Sequence, residues 1–529
     1  MEEPQTPQWS RLDIWLIALL VLLTLGLRTY QLATTEVTAR DSIGYIHIAW
    51  RMEHGDWLRV IPASPQHPGY PVALLAASVP ARLFFPQDLP YAMQLGAQLA
   101  SAAAGVLLVA PLYWLGRQLF GPRAAFGAVL IFQCLPCSGR ILADGLSEGV
   151  FLLFAITALA AAMHALRSGS VRVFAVAGAA GALAYLTRPE GLLIPAVAGL
   201  MLLAMQFIPV WRRPWRRVLA CGGALTVAVL LIGGPYMVLI RGLTVKNSSN
   251  AVMRDAGLEA DRRLDDLSEG PPLAMWWQGA AGDSAGRALW GLKTFGEVLS
   301  KAFFYVLWAP ALAGLFWFHR RFRAPGAWLM LIVSALLAGL LYMIAARMGY
   351  LSDRHMILIL ACGLPWAAAA LDGAACVLAS RLEAMRPTVA GRRWADGRVW
   401  AVCLLAAAAA APLWRTLEPL HGDRVGFREA GHWLAQNIGP SEQVFDPFGW
   451  AGYYAGRYFR HEDAVNTPCQ YVVLEVGASH HSHLATVAEA QQAAGTGHEI
   501  HRFAAERGSG EADVVIYRLP APWVTRPLP

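Results

Sequence analysis

Long apolar segments dominate this chain, and short polar breaks separate them. Residues 12–28 are almost purely apolar, and similar runs of about 16 to 24 residues recur, which matches the thickness of a bilayer core. The first run has no small-residue cleavage site behind it, so we interpret it as a retained anchor. The pattern predicts a mainly α, polytopic membrane bundle of about eleven spanning helices, at 12–28, 93–115, 124–140, 148–166, 173–187, 190–209, 218–240, 301–318, 326–346, 355–379 and 399–414.

Two stretches within the predicted membrane domain do not fit simple spans. Residues 29–92 are expected to form a long first external loop, in which 45–52 has the pattern of a short amphipathic helix. Residues 71–85 are apolar but interrupted by proline and arginine, so we expect an interfacial or re-entrant segment there. Residues 241–300 are polar and predict a second external loop.

The composition becomes that of a soluble protein after the last apolar run. We therefore predict two domains, a membrane domain over 1–414 and a small α/β domain over 415–529. Helical periodicity and β-rich runs alternate in this tail, with helices predicted at 426–437 and 483–494 and strands at 443–445, 471–474 and 513–517.

The charge content supports the membrane class and gives it an orientation. Of 529 residues, 56% are hydrophobic and 15% are charged, whereas a globular protein averages about 25% charged. The net charge of +7 comes from arginine-rich short loops that alternate with less basic ones, as the positive-inside rule predicts. This distribution disfavours nucleic-acid binding and predicts a cell-membrane protein with a cytoplasmic N-terminus and an extracytoplasmic tail.

An acidic residue, Asp41, follows the first predicted span. Asp41 and Tyr45 are four residues apart, so they share one face of a helix. A carboxylate at the membrane surface can orient a substrate hydroxyl and accept its proton. The structural alternative is that Asp41 caps the following helix or pairs with Arg40.

A second acidic pair, Asp144 and Glu148, lies at the predicted outer end of the third and fourth spans. Ser147 stands between them, directly before a long apolar run. Such residues suit a helix N-terminus, where N–H groups lack partners and the dipole favours negative charge. The alternative is a functional role for the two carboxylates, and Asp144 and Glu148 are the candidates for a divalent metal. The motifs require no other cofactor.

Several cations are predicted at the same outer ends. Arg188 stands in a tight break between two apolar spans, where its cost near hydrocarbon calls for an anionic partner. Glu190 is one such partner, and a lipid phosphate is another, because guanidinium matches phosphate geometry. Arg354 precedes the tenth predicted span, and Lys246 lies in the second external loop on the same side.

The order of these motifs resembles membrane glycosyltransferases of the GT-C superfamily, in the family 39 or PMT-like group of protein O-mannosyltransferases and aminoarabinose transferases. The resemblance covers about the first 250 residues well and the later part mainly by topology. It rests on Asp41, Gly55-Asp56-Trp57, His67-Pro68-Gly69-Tyr70-Pro71, Leu115-Gly116-Arg117-Gln118-Leu119-Phe120-Gly121, Ser147-Glu148, Leu186-Thr187-Arg188-Pro189-Glu190-Gly191 and Asp353-Arg354-His355.

This resemblance implies a sugar donor linked to polyprenyl phosphate and transfer with inversion to an acceptor hydroxyl of a lipid, glycan or protein. Asp41 takes the place of the family's catalytic base. We expect the cations Arg188, Arg354 and Lys246 at the donor phosphate, which needs positive charge more than a general acid. The candidates for orienting acceptor or substrate are Tyr45, His67, Tyr70, Asp144 and Glu148.

The sequence departs from the family pattern at two positions. Ser42 stands where many relatives have a second acidic residue, which weakens the expectation of a carboxylate-bound metal. His67-Pro68-Gly69 replaces the usual Lys-Pro-Pro. His67 is a candidate ligand or substrate contact, and stabilisation of the proline-rich turn is the favoured alternative.

Two other functional classes fit a chain with this many spans. A secondary transporter would have a similar number of spans, with repeated half-topologies and charges near the membrane midplane. A non-catalytic scaffold or glycan-binding subunit would account for Ser42 as a sign of lost catalysis.

Overall fold

The described part of the chain is mainly helical, and its tail forms a small mixed sheet, as predicted. The computed structural model describes residues 9–245, 284–348, 351–385, 396–439, 442–460, 469–477, 485–504 and 513–523. Within these ranges, 8 helices are long and apolar enough to cross a membrane, and shorter apolar helices accompany them.

The helices begin and end close to the predicted limits in most cases. The first twelve are α1 (Arg11–Thr34), α2 (Arg40–His54), α3 (Trp57–Ala63), α4 (Gly69–Phe84), α5 (Leu89–Leu107), α6 (Val109–Phe120), α7 (Pro122–Cys134), α8 (Pro136–Ile141), α9 (Glu148–Ser168), α10 (Val171–Thr187), α11 (Leu193–Ala204) and α12 (Trp215–Ile240). The later ones are α13 (Ser284–Ala302), α14 (Trp308–Trp317), α15 (Pro325–Met348), α16 (Ile357–Met385), α17 (Gly397–Thr416), α18 (Val425–Asn437), α19 (Trp450–Tyr454) and α20 (Ala485–Ala494).

Three predicted segments are corrected. The span at 124–140 is broken into α7 and α8, because Pro136 disfavours helical geometry at Leu135, which is extended. The span at 301–318 is divided between α13 and α14, and Phe304 and Tyr305 between them have positive φ. Residues 284–300, assigned to an external loop, form most of α13.

The helices of the first predicted loop pack against the bundle. α2 covers the amphipathic helix expected at 45–52 and extends it in both directions. α4 packs along α5 and buries Tyr70, Leu74 and Ser78. Gly69 allows the start of this helix to approach α10 closely, since a Cβ there would lie 2.6 Å from the carbonyl oxygen of Leu186.

α10 packs between α9 on one side and α12 on the other. α9 is largely buried along its length. Small residues let the helix axes approach, as is typical of membrane helices. At Gly178 of α10, a Cβ would lie 2.4 Å from the carbonyl oxygen of Leu225.

Basic loops meet at one end of this bundle. Arg117 at the end of α6 forms an ion pair with Asp13 at the start of α1, at 2.9 Å. Arg167 NH1 donates to the Gln118 carbonyl, and Arg213 NH2 donates to the Leu166 carbonyl. The loops after α6, α9 and α11 therefore share one end, and the breaks that carry the predicted site residues lie at the other.

The tail forms a four-stranded sheet in the order β1-β2-β4-β3. Its strands are β1 (Gln443–Phe445), β2 (Cys469–Val476), β3 (His498–Phe503) and β4 (Asp513–Trp523). β1 pairs parallel to β2, and the other two pairings are antiparallel. β3 and α19 were not predicted. β3 carries His498, Glu499, His501 and Arg502, and therefore lacks the apolar alternation that reveals a strand.

Candidate functional site

Glu148 is the buried centre of the site. It begins α9, where the helix dipole favours a negative charge, and its side chain is 3% exposed. Arg188 NH1 lies 2.6 Å from Glu148 Oε1, and Arg354 Nε lies 3.9 Å from the same oxygen. One buried carboxylate therefore faces two guanidinium groups.

Arg188 reaches Glu148 because α10 ends just before it. The proline at 189 disfavours helical geometry at Arg188, which is extended and is followed by a 3-10 turn. Glu190 Oε2 lies 3.6 Å from Arg188 Nε. Burial alone lowers the pKa of a guanidinium, but the carboxylates Glu148 and Glu190 reverse this effect and raise the pKa of Arg188. The side chain is therefore a permanent cation.

Arg354 links Glu148 to Asp41. Asp41 lies in the first turn of α2, and its side chain is 47% exposed. Arg354 NH1 donates a hydrogen bond to Asp41 Oδ2. The structure thus brings four candidate site residues, Asp41, Glu148, Arg188 and Arg354, together from four separate segments. Glu190 joins the same row of alternating charges.

Tyr45 lies behind this row. Its hydroxyl is 3.0 Å from Ser147 Oγ, and its ring contacts Tyr70 edge-on at 4.9 Å. Burial and the charge of Glu148 raise the pKa of Tyr45 to about 12, so the phenol stays protonated. Tyr70 is fully buried and donates to the Ala97 carbonyl at 2.9 Å, which ties α4 to α5 and keeps Tyr70 away from the cavity.

His67 is placed inside the protein. Its Nδ1 lies 2.8 Å from the Tyr185 carbonyl oxygen, and its Nε2 lies 2.9 Å from Thr244 Oγ1. The side chain is 1% exposed. These contacts match the turn-stabilising alternative and leave no access for a substrate. The other basic candidate of this region, Lys246, lies outside the described residues.

Asp144 is bound to the tail. His421 Nε2 lies 2.8 and 2.9 Å from its two carboxylate oxygens. Its neighbour Glu148 is occupied by two guanidiniums, so a cation shared by these carboxylates would have to displace existing partners of both. Among the described residues, no three His, Cys, Asp or Glu side chains assemble as metal ligands. These residues therefore do not fit a divalent metal.

A shallow cavity lies over the charged row, and its empty space of about 310 Å³ includes the open solvent at its mouth. One part of its lining is ionic and the other is apolar, contributed by α15 and α16. Such a lining suits a ligand with an anionic head and a hydrocarbon chain. The cavity is lined by Glu148, Phe151, Arg188, Glu190, Leu337, Leu341, Arg354, His355, Ile357 and Leu358.

Sequence reasoning missed two contributors to this region. His421 is a single histidine after the last membrane helix, 277 residues from its partner, and nothing local marks it. The second is α19 in the tail, whose Trp450 and Tyr454 contact the segment before Asp41. Its sequence signal is three aromatic residues, Trp450, Tyr453 and Tyr454, in a glycine-rich segment.

Comparison with known proteins is consistent with this geometry. Residues 71–234 match the family model described as dolichyl-phosphate-mannose-protein mannosyltransferase. The match confirms the resemblance indicated by the sequence motifs, and with it the prediction of a glycosyltransferase of this type. No curated protein matches the chain in sequence.

Solved structures share the fold. Archaeal oligosaccharyltransferase AglB from Archaeoglobus fulgidus, in complex with an inhibitory peptide and a dolichol-phosphate, is 13% identical, with a TM-score of 0.56 over 95% of this chain and 74% of that chain. ArnT from Cupriavidus metallidurans in the apo state is 16% identical, with a TM-score of 0.50 over 96% of this chain and 98% of that chain. The chain is thus a multi-pass integral membrane protein with a GT-C fold.

Proposed function

We propose that this protein transfers a sugar from a polyprenyl-phosphate donor to an acceptor hydroxyl, with inversion, and that Asp41 is the general base. The observation that carries the proposal is the juxtaposition of a half-exposed carboxylate and two guanidiniums at a cavity with an apolar side. A base for the acceptor and cations for a phosphate are then available within one site.

The donor phosphate is assigned to Arg354 and Arg188. Guanidinium groups bind phosphate oxygens through parallel hydrogen bonds, and both groups line the cavity. The apolar residues Leu337, Leu341 and Leu358 lie beside them and suit the first isoprene units of the lipid. The dolichol-phosphate in the AglB complex is a ligand of this chemical class.

The proposed reaction is a single displacement at the anomeric carbon. The acceptor oxygen forms a bond to that carbon while the bond to the phosphate oxygen breaks, and the acceptor proton passes to Asp41. The phosphate leaves with an additional negative charge, which the guanidiniums stabilise. Arg354 donates to Asp41 and also lines the cavity, so one guanidinium lies between the proposed base and the proposed position of the phosphate.

The same proposal assigns an orientation and two domains. The basic loops that meet at the end opposite the site are expected on the cytoplasmic side, by the positive-inside rule. The site and the tail over 415–529 are then extracytoplasmic, and residues 1–414 form the catalytic membrane domain. Cysteine labelling with a membrane-impermeant reagent at exposed positions of each end tests this assignment.

Substitution of Asp41 tests the catalytic proposal. Mass spectrometry of membrane glycans and glycoproteins, with and without the protein, identifies the transferred sugar and its acceptor. We expect Asp41→Asn to slow the appearance of that product by about 10²-fold or more, the usual contribution of general base catalysis. The matched control is Asp56→Asn. Asp56 is an exposed aspartate that caps α3, and asparagine caps a helix equally well.

The proposed base and the proposed phosphate-binding residues are distinguished by measuring turnover and donor affinity separately. Arg354→Ala should weaken binding of a polyprenyl phosphate by about tenfold or more, the range for a lost charged hydrogen bond. Asp41→Asn should leave that affinity within a few-fold of the parent. Normal turnover by purified, folded Asp41→Asn protein contradicts the assignment of the base. Solute uptake into sealed vesicles without any lipid-linked sugar would support transport instead.

A further inference from the structure

The segment that leads into α2 has no local means of fixing the helix start. α2 begins with Ala39 as its cap residue, and no side chain caps its first turn. Val37 and Thr38 before it are fully buried. Asp41 lies in that first turn, so its position depends on the contacts that hold these buried residues in place.

Two aromatic side chains of the tail hold the backbone of Thr38. The Tyr454 hydroxyl accepts a hydrogen bond from Thr38 N at 2.9 Å, and Trp450 Nε1 donates to the Thr38 carbonyl at 2.8 Å. Both peptide groups of a buried residue are therefore satisfied by α19. Buried backbone groups require such partners, so these bonds fix the segment relative to the tail.

The same helix of the tail is also fixed to the membrane bundle. The Tyr454 hydroxyl donates to Gln94 Oε1 of α5 at 2.7 Å, and the Tyr453 hydroxyl donates to the Pro90 carbonyl at 2.6 Å. Tyr454 thus connects Thr38 to α5 through one oxygen atom. The segment before Asp41 is held against the bundle through the tail.

The residues after Asp41 have a parallel arrangement. Ser42 Oγ donates to the carbonyls of Asp144 and Gly145, at 3.0 and 2.8 Å. Asp144 is in turn bound by His421. Arg40, on the other side of Asp41, donates to the Pro447 carbonyl of the tail at 3.2 Å. Tail residues contact the chain on both sides of the proposed base.

We infer that Trp450 and Tyr454 are positioning residues for the transfer reaction, and that the tail acts in catalysis by fixing Asp41 in line with the donor. The inference rests on the proposed function of Asp41. Displacement of a reacting group by about 1 Å can reduce a rate by about 10²-fold. The two hydrogen bonds to Thr38, three residues before Asp41, are therefore sufficient to affect turnover.

The test compares Tyr454→Phe and Trp450→Phe with Tyr471→Phe. The control hydroxyl lies in the same sheet domain and bonds Glu442, within the tail. We expect both α19 variants to lose about tenfold or more in kcat, while affinity for a polyprenyl phosphate stays within a few-fold. The control should change neither quantity. Trp450→Phe keeps an aromatic ring among Phe427 and Phe448, so it tests the hydrogen bond if Tyr454→Phe does not fold.

A double substitution distinguishes positioning from simple destabilisation. In an Asp41→Asn background, Tyr454→Phe should cause no further loss of turnover, because there is no base left to misplace. An equal loss in both backgrounds, or unchanged kcat in the folded α19 variants, overturns the inference. If Asp41→Asn itself turns over normally, the proposed function and this inference both fail. If Asp41→Asn is inactive but the α19 variants are normal, the inference alone fails.

Discussion

Replacing Glu148 by glutamine removes the central charge of the site and keeps nearly the same side-chain shape. Glu148 is 3% exposed and Arg188 is 10% exposed at its side chain, with 2.6 Å between the paired atoms. Removing one partner of a buried ion pair typically costs about 3–5 kcal/mol. Glu190 stays 3.6 Å from Arg188 in this variant and compensates part of its charge, so we expect a loss at the lower end of that range. Arg354, 3.9 Å away, loses an acidic neighbour as well.

The control is the same chemical change at an exposed pair. Glu297 pairs with Lys293 on α13 at 3.8 Å, and these side chains are 65% and 72% exposed. Exposed pairs of this kind contribute about 0–1 kcal/mol. Unfolding of the purified protein in detergent should therefore show a large loss of stability for Glu148→Gln and almost none for Glu297→Gln.

A double-mutant cycle then assigns the loss to the pair. If the cost arises from an incompletely compensated Arg188, the Glu148→Gln, Arg188→Gln double variant should be more stable than the two single losses added together. Equal stability of Glu148→Gln and Glu297→Gln would refute the buried ion pair. Additive single losses would show that Glu148 and Arg188 do not depend on each other.

Three further predictions concern contacts that hold the site in place. Burial lowers the pKa of His421, but Asp144 reverses this effect and raises it above its usual value, so the protonated pair stabilises the fold fully below the unfolded pKa of about 6.5. This contribution is lost as pH rises through the raised pKa of the folded state. The difference in unfolding free energy between the parent and His421→Gln should therefore shrink between pH 6 and pH 9. A difference that stays constant over this range contradicts the ion pair. Gly69→Ala should destabilise the protein by about 1–3 kcal/mol, because the added methyl group overpacks against Leu186. Gly44→Ala is the control, since nothing lies within 4 Å of its added carbon. Equal unfolding temperatures of the two variants would refute the close approach of α4 to α10. Arg28, buried in α1, donates to the carbonyls of Gln133 and Gly139 beside the α7–α8 break, so Arg28→Met should leave these acceptors unpaired and cost about 2 kcal/mol or more, with unchanged thermal unfolding as the contrary result.

The parts of the site that sequence reasoning found share one property. Asp41, Glu148, Arg188 and Arg354 each stand where an apolar segment is interrupted. A charge at the end of a membrane helix is costly unless it has a partner or a function, so such residues are conspicuous in a chain with 15% charged residues. The break between α7 and α8 was also open to prediction, because Pro136 marks it.

Two other candidate site residues have partners that the sequence does not reveal. His67 and Asp144 contact Tyr185 and His421, which are 118 and 277 residues away along the chain. Local sequence gives no measure of such pairings. Residues 284–300 were assigned to a loop because the segment 241–300 is polar, although Phe295, Val298 and Leu299 pack against the apolar core. Sequence patterns therefore predict long-range contacts and amphipathic helices at a membrane surface least well.

The charged row links the two halves of the proposed reaction through one residue. Arg354 contacts Asp41, which is expected to lose its negative charge as it takes the acceptor proton, and it lines the cavity where the departing phosphate is expected to gain one. Negative charge therefore moves from one side of this guanidinium to the other, and Glu148 holds the guanidinium in place at 3.9 Å. Because these charged groups are held by contacts within the protein, little reorganisation is needed during transfer, which is the condition under which electrostatic stabilisation is most effective.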